Sequence, residues 1–231
     1  MKKIDEILTE DIRSIAIVGH MRPDGDCVGS CMGLYNYLKD NYSFDVDIYL
    51  DDFASSLLFM RYSEQINANT DKTKAYDLFI AVDCSDRQRL GTGSEFFETA
   101  GRTVCIDHHI SNQGYCEINH LNADACAAGE VLYELLEEDK ISKATAECLY
   151  TAIVHDSGVF QYSSVTPRTM EIAGKLMGKG IDFSNIVAKT FYEKSYNRNQ
   201  VLGRALLESV RLMEGKCIFS VISAANMEFY R

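Results

Sequence analysis

The chain has 231 residues, 46% apolar and 25% charged, enough for one sizeable core or for one domain plus a smaller piece. Asp and Glu number 34 against 23 Lys and Arg; the formal charge of -11 argues against a broad footprint on duplex nucleic acid or an anionic membrane and leaves a short anionic substrate open. No stretch is long and apolar enough to span a bilayer, and the opening MKKIDEILTEDI lacks the continuous apolar core of a signal peptide. The eight cysteines are scattered without a C-x-x-C pair, mostly inside apolar segments, which reads as reduced, partly buried thiols of a cytoplasmic protein.

In chain order, a short helix is expected over residues 5–10 and a compact strand in RSIAIVG, 13–19. VGSCMGLYNYL, 28–38, has apolar residues at helical spacing, with Gly29, Ser30 and Gly33 where a helix could approach a sheet. FDVDIYL, YDLFIAVD and RTVCIDHH read as further strands, and SSLLFMRY as short helices or turns. This alternation predicts an α/β fold: a mostly parallel sheet flanked by helices.

After residue 120 the texture becomes helical. ADACAAGEVLYELLEED, SKATAECLYTAIVHD, TPRTMEIAGKLMGKG, DFSNIVAKTFYEK and NRNQVLGRALLESV each carry a helical pattern, and the Thr166, Pro167 pair suits helix initiation. KCIFSVIS, 216–223, then reads either as a strand of a new sheet or as an added strand, for example in a hairpin with SVRLME. A domain over 1–185 followed by a linker helix and the start of a smaller α/β domain over 186–231 is the expected organisation, and the AANMEFYR ending is expected to fall inside that second domain.

Chemistry concentrates where strands end. GHMRPDGDCVGS places His20, Asp24 and Asp26 behind the first strand, LFIAVDCSD ends in Asp83, VCIDHHISN in Asp107, His108 and His109, and LYTAIVHDSGVF delivers Asp156. In an open parallel sheet such ends face one crevice. Singly, Asp24 and Asp26 could be turn formers beside Gly25, Asp83 and Asp107 could cap helices, and His20 could be a surface residue. Together, the carboxylates would repel and raise one another's pKa unless cations compensated. Carboxylates mixed with imidazoles suit manganese or another first-row divalent metal, and four carboxylates with two imidazoles suffice for two ions if one carboxylate, here Asp83, bridges.

The ordered motifs HMRPDGD, strand-end Asp83, DHH at 107–109 and HDSG at 155–158 resemble those of the DHH phosphoesterase superfamily, over about residues 12–180, and most closely its branch of oligoribonucleases and 3'-phosphoadenosine 5'-phosphate phosphatases. The resemblance implies two divalent cations, Mn2+ in kind: His20, Asp24 and Asp83 around one, and Asp26, Asp83, His108 and Asp156 around the other. It further implies His109 facing the substrate phosphate, Asp107 setting the adjacent imidazole, and Arg89 of DRQRLG bracing the metal loop, although an ordinary surface arginine is an equal reading. Departures are His155 and Ser157 where threonines are usual, Ala127 and Ala128 where a Ser and Thr pair is usual, and the lack of the GGGH segment of the family's second domain, so that a shortened form of a longer enzyme is expected.

The implied function is hydrolysis of short oligoribonucleotides and 3'-phosphoadenosine 5'-phosphate through a metal-bridged hydroxide, with a homodimer as one open assembly. Alternatives are a cyclic-di-AMP or linear dinucleotide phosphodiesterase, an inorganic pyrophosphatase, and a non-catalytic module that binds metal or nucleotide.

Overall fold

Residues 3–224 are described by the computed structural model; most of the AANMEFYR ending lies outside the described residues. Five strands, β1 (Ser14–Val18), β2 (Asp45–Tyr49), β3 (Leu78–Val82), β4 (Arg102–Asp107) and β5 (Ile118–Leu121), form one sheet in the order β2-β1-β3-β4-β5, with every neighbouring pair parallel. The inner strands read as unbroken apolar runs because both faces are covered. Side chains alternate across the sheet: Ile15 and Ile17 enter the larger core with Ile80 and Ile106, whereas Ala16 and Val18 enter a second core with Phe79, Ala81 and Cys105.

The larger core is closed by helices α1 (Gly25–Asn41), α2 (Ala128–Leu135), α3 (Lys143–Asp156) and α4 (Pro167–Met177), with α5 (Phe183–Val187) behind them. The smaller core is closed by 3-10 turns and loops that bring in Tyr76, Leu90 and Phe96. Strands and α-helices therefore alternate less than the sequence pattern implies: α1 is the single α-helix before residue 128 among the described residues, and the other crossovers are short 3-10 turns interrupted by residues such as Gly93, at φ +94°. The helix expected over 5–10 is likewise one 3-10 turn, Ile4–Glu6, which buries Ile4. Strand β5 escapes sequence reading because INHL carries two polar residues and lies at the sheet edge.

Gly29 and Gly33 serve helix-on-helix packing, not the helix-on-sheet approach expected of them. A Cβ at Gly29 would stand 2.6 Å from the Cys148 carbonyl oxygen, and one at Gly33 would stand 2.8 Å from a Leu149 methyl, so both glycines let α1 lie close against α3. Helix α4 starts as its sequence indicates, with Thr166 as N-cap, Pro167 in the first turn, and the Thr166 hydroxyl accepting from Thr169 N–H at 3.1 Å.

The sheet is pinned at the opposite end from its chemistry by Asp77. Its Oδ2 accepts from Arg13 N–H at 2.8 Å, Ser14 N–H at 2.9 Å and the Ser14 hydroxyl at 3.0 Å, tying the start of β1 to the start of β3. The Arg13 and Ser14 amides hold its pKa below the usual carboxylate value. A lowered folded pKa is stabilising above the unfolded value of about 3.9 and is lost as pH falls through the folded one. Asp77→Ala is expected to cost about 1.5 kcal/mol, the low end for hydrogen bonds to a charged group at a partly exposed position. Urea denaturation at pH 7 and near pH 3 checks this, with a smaller difference between variant and parent expected in acid.

The chain divides into two compact units, Met1–Phe191 and Tyr192–Arg231. In the second, α6 (Tyr196–Leu207) leads to β6 (Val210–Leu212), which pairs antiparallel with β7 (Cys217–Phe219) in the register Val210↔Phe219. KCIFSVIS thus forms a hairpin with SVRLME as a separate two-stranded sheet. No helix among the described residues is long and apolar enough to cross a membrane.

Candidate metal centre

The strand order reverses between β1 and β3, since β1 continues to β2 on one side while β3 lies on the other. Such a reversal opens a crevice beyond the carboxyl ends of the strands. His20 follows β1, Asp24 is the N-cap of α1 and Asp26 lies in its first turn, Asp83 follows β3, and Asp107 ends β4 before His108 and His109. Asp156 comes from a different layer, as the last residue of α3.

Asp83 lies in the middle. Its Oδ2 is 3.5 Å from His20 Nε2, and its Oδ1 is 3.6 Å from both His108 Nε2 and His109 Nδ1. His108 Nε2 also approaches Asp156 Oδ2 at 3.2 Å and Asp26 Oδ2 at 3.6 Å, while Asp24 Oδ1 is 4.0 Å from His20 Nε2. Among the described residues, three groups have potential ligand atoms within 4.8 Å of one another: Asp26, His108 and Asp156; Asp83, His108 and His109; and His20, Cys27 and Asp83. The structure therefore brings His20, Asp24, Asp26, Asp83, His108 and Asp156 to one place, with Asp83 facing both sides.

The donors are prepared for cations. His20 Nδ1 lies 2.9 Å from the Met21 carbonyl and His108 Nδ1 lies 3.3 Å from the Ala125 carbonyl. Donation of Nδ1–H to those carbonyls turns each Nε2 toward the carboxylates, the orientation that outer partners impose on metal-bound imidazoles; burial acts to lower the His20 pKa, but Cys27 and the Met21 carbonyl outweigh it and raise it to about 9. Asp26 is fully buried, accepting from Ser30 Oγ at 2.9 Å and from the N-terminal amides of α2, Ala128 at 2.7 Å and Gly129 at 3.1 Å. Burial, reinforced by the Asp156 charge, nevertheless pushes the Asp26 carboxyl well above the usual range. Burial also raises Asp83, with Asp26 and Asp24 adding to the effect, and raises Asp156 even though His108 opposes it.

Asp83 Oδ1 is buried and has no hydrogen-bond partner, and the residue is held at φ +55°. Buried carboxylate oxygens without donors are costly, and non-glycine residues in the left-handed region store strain that is concentrated at functional sites. Orphaned oxygen, inward-facing imidazole nitrogens and raised carboxyls all fit divalent cations. Cys27 adds little to a thiolate site, because burial pushes its thiol well above the usual value and its Sγ already accepts from His20 N–H at 3.3 Å.

His109 plays a different part. Its Nδ1 lies 2.7 Å from Asp107 Oδ1, and Asp107 Oδ2 accepts from Asn112 Nδ2 at 2.7 Å. The Asp107 hydrogen bond raises the His109 pKa against its burial; for Asp107, burial acts upward but the bonds from His109 and Asn112 win and lower it. The pair thus favours an imidazolium whose Nε2–H is not used by Asp107. Asp107→Asn is expected to lower kcat about 10- to 100-fold at saturating metal by releasing this orientation. Steady-state kinetics checks it, together with metal content, which should remain that of the parent.

Arg89 meets the centre through its backbone. Its carbonyl accepts from Met21 N–H at 2.8 Å, and the adjoining Leu90 bridges His20, so the 3-10 turn Arg87–Arg89 braces the loop after β1. Its charge acts to lower the His109 pKa, against Asp107. His155 packs its ring where a Gly25 Cβ would stand, 2.1 Å from that position, so the first residue of α1, between Asp24 and Asp26, has room only for glycine. The His155 Nε2 is buried without a partner, and burial lowers its pKa.

Sequence reasoning missed Asn112, the Ala128 and Gly129 amides and the Ala125 carbonyl. Backbone groups leave no side-chain signature, and Asn112 in a turn reads as turn chemistry. Ala127 and Ala128 lack hydroxyls, and α2 has no side-chain cap from its own N-cap residue; Asp26 takes its first amides, while Glu130 accepts from Cys126 N–H at 3.1 Å and Thr169 Oγ1 at 2.9 Å and so ties the preceding loop to α4.

Residues 14–153 match the family described as "DHH family, N-terminal domain". The bifunctional oligoribonuclease and PAP phosphatase NrnA of Bacillus subtilis is 26% identical over 95% of this chain and 72% of its own length. The probable counterpart in Streptococcus mutans is 28% identical over 74% of this chain, which spans 54% of that relative's length. Among solved structures, an exopolyphosphatase-related protein from Bacteroides fragilis superposes with a TM-score of 0.89 at 25% identity, over 98% of this chain and 71% of that one.

Proposed function

Because the chain belongs to the DHH family, we propose that it is a two-metal phosphoesterase, Mn2+-dependent, that hydrolyses short oligoribonucleotides and 3'-phosphoadenosine 5'-phosphate. The observation that carries this reading is Asp83, whose two oxygens face His20 on one side and His108 on the other while one of them lacks any hydrogen bond. The names borne by the relatives, an oligoribonuclease and PAP phosphatase among them, support the substrate class.

His20, Asp24 and Asp83 would hold one cation, and Asp26, Asp83, His108 and Asp156 the other. When bound, such a pair supplies Lewis-acid charge for phosphoryl oxygens and an acidified water. The protein's own residues do the rest. His109, kept as a donor by Asp107, faces the phosphate and can protonate the leaving oxygen. Among the described residues no hydroxyl or thiol at the centre is placed as a nucleophile: Ser30 and Ser157 are fully buried and closed to a substrate, and burial pushes the Cys84 thiol up to about 12. Water is the attacking group.

A cytoplasmic setting is part of the proposal, supported by eight free thiols. The test is hydrolysis of a five-nucleotide RNA and of 3'-phosphoadenosine 5'-phosphate in Mn2+ and in EDTA, run in oxygen-18 water. Metal-dependent release with label in the phosphate product is expected. Nucleotide bound tightly without release would favour a non-catalytic module, and a trapped phosphorylated side chain would overturn the mechanism.

A further inference from the structure

On the same carboxyl edge, at the ends of β1 and β2, lies a cavity of about 360 Å3 lined by Arg22, Leu50, Asp51, Asp52, Asn67 and Thr92. The loop that carries His20 forms one wall, since Arg22 lies two residues beyond it. The walls approach closely at Gly91, where a Cβ would stand 2.9 Å from the Asp51 side-chain Oδ1 and 3.3 Å from the Met21 backbone N.

Most of the lining is occupied in building the cavity. Asn67 clasps Leu50, accepting from its N–H at 3.1 Å and donating to its carbonyl at 2.6 Å, and Asp51 Oδ1 accepts from both Thr92 N–H and Thr92 Oγ1 at 2.8 Å. Two side chains keep their polar ends free among the described residues: the Arg22 guanidinium and the Asp52 carboxylate. Arg22 also adopts φ +54°, a conformation uncommon for a long side chain.

Charge selects the occupant. One guanidinium against two carboxylates leaves the cavity net negative, so a second phosphate is repelled. A flat, neutral group that donates hydrogen bonds is favoured, because a guanidinium stacks on aromatic faces and a carboxylate accepts from hydroxyls and amines. We propose that this cavity holds the nucleoside of the substrate, its base stacked on the Arg22 guanidinium and its ribose hydroxyls or exocyclic amine donating to Asp52. The proposal rests on the phosphoesterase reading of the neighbouring centre, whose substrate would place its phosphate there and its base here.

The test separates nucleoside from phosphate by titrating the full chain with adenosine and, with Mn2+ present, with inorganic phosphate, followed by NMR. Arg22→Ala and Asp52→Ala are each expected to weaken adenosine about tenfold or more and to leave phosphate affinity within about twofold. Arg22→Lys should fail on adenosine like the alanine variant, since it keeps the charge and loses the plane. Both positions are exposed, and an unchanged Tm verifies folding. Equal losses for adenosine and phosphate, or unchanged adenosine affinity in Arg22→Ala, would overturn the assignment. Adenosine binding with this mutant pattern, but no Mn2+-dependent hydrolysis of a dinucleotide by the parent, would sink the phosphoesterase reading while leaving a nucleoside site.

Discussion

Replacing Asp83 by alanine is expected to empty both cation positions together and to lower kcat/KM on a short oligoribonucleotide about 1,000-fold or more, about 4 kcal/mol of transition-state stabilisation. The two oxygens of this carboxylate face different imidazoles, so its removal strips a donor from each side. His20→Ala should behave differently, because the carboxylates His20 Nε2 approaches are Asp83 and Asp24, and the group of Asp26, His108 and Asp156 remains whole. Metal content by plasma emission distinguishes the variants: about two Mn2+ per chain in the parent, about one in His20→Ala and fewer than one in Asp83→Ala. An Asp83→Ala chain that still held two ions would remove the central argument for a bridging carboxylate.

Removing metal should be the second large effect. A ligand present at a hundredfold its Kd stabilises by about 2.7 kcal/mol per site. Two sites give about 5 kcal/mol, or about 10–20 °C in Tm for a unit of this size. Scanning calorimetry with Mn2+ and with EDTA measures it. The sign reverses for Asp83→Asn in EDTA. A carboxyl whose folded pKa is raised opposes folding above its unfolded pKa, so at pH 7 Asp26, Asp83 and Asp156 destabilise the metal-free protein. Asparagine removes one of those charges and tolerates the positive φ at this position. The variant should therefore melt above the parent in EDTA and show little gain from Mn2+. A parent whose Tm ignored Mn2+ would contradict both the cation pair and the electrostatic origin of the raised carboxyls.

These effects turn on residues that the sequence marks plainly. Apolar runs ending in Asp83, in Asp107 with His108 and His109, and in the His20 to Asp26 loop are visible because a buried parallel strand must be apolar and its end must turn outward. Thr166 and Pro167 announce α4 by the same local logic, since capping and a fixed φ act within one turn. The amino-acid order by itself therefore determined the parallel sheet, the principal helices and which six carboxylate and imidazole residues meet at its carboxyl edge.

The tertiary structure decided what depends on distance between segments remote in sequence. Only packing shows that Gly29 and Gly33 face α3, that the α-helices close one face of the sheet while 3-10 turns close the other, and that His155 occupies the space beside Gly25. Only packing brings the Ala128 and Gly129 amides to Asp26, Asn112 to Asp107 and the Ala125 carbonyl to His108. Amides and carbonyls are common to almost every residue, so their roles leave no mark in the sequence until the fold sets them within hydrogen-bond reach. Likewise, the orphaned oxygen of Asp83 is a property of its surroundings, since a carboxylate lacks donors only when the neighbours that bury it supply none.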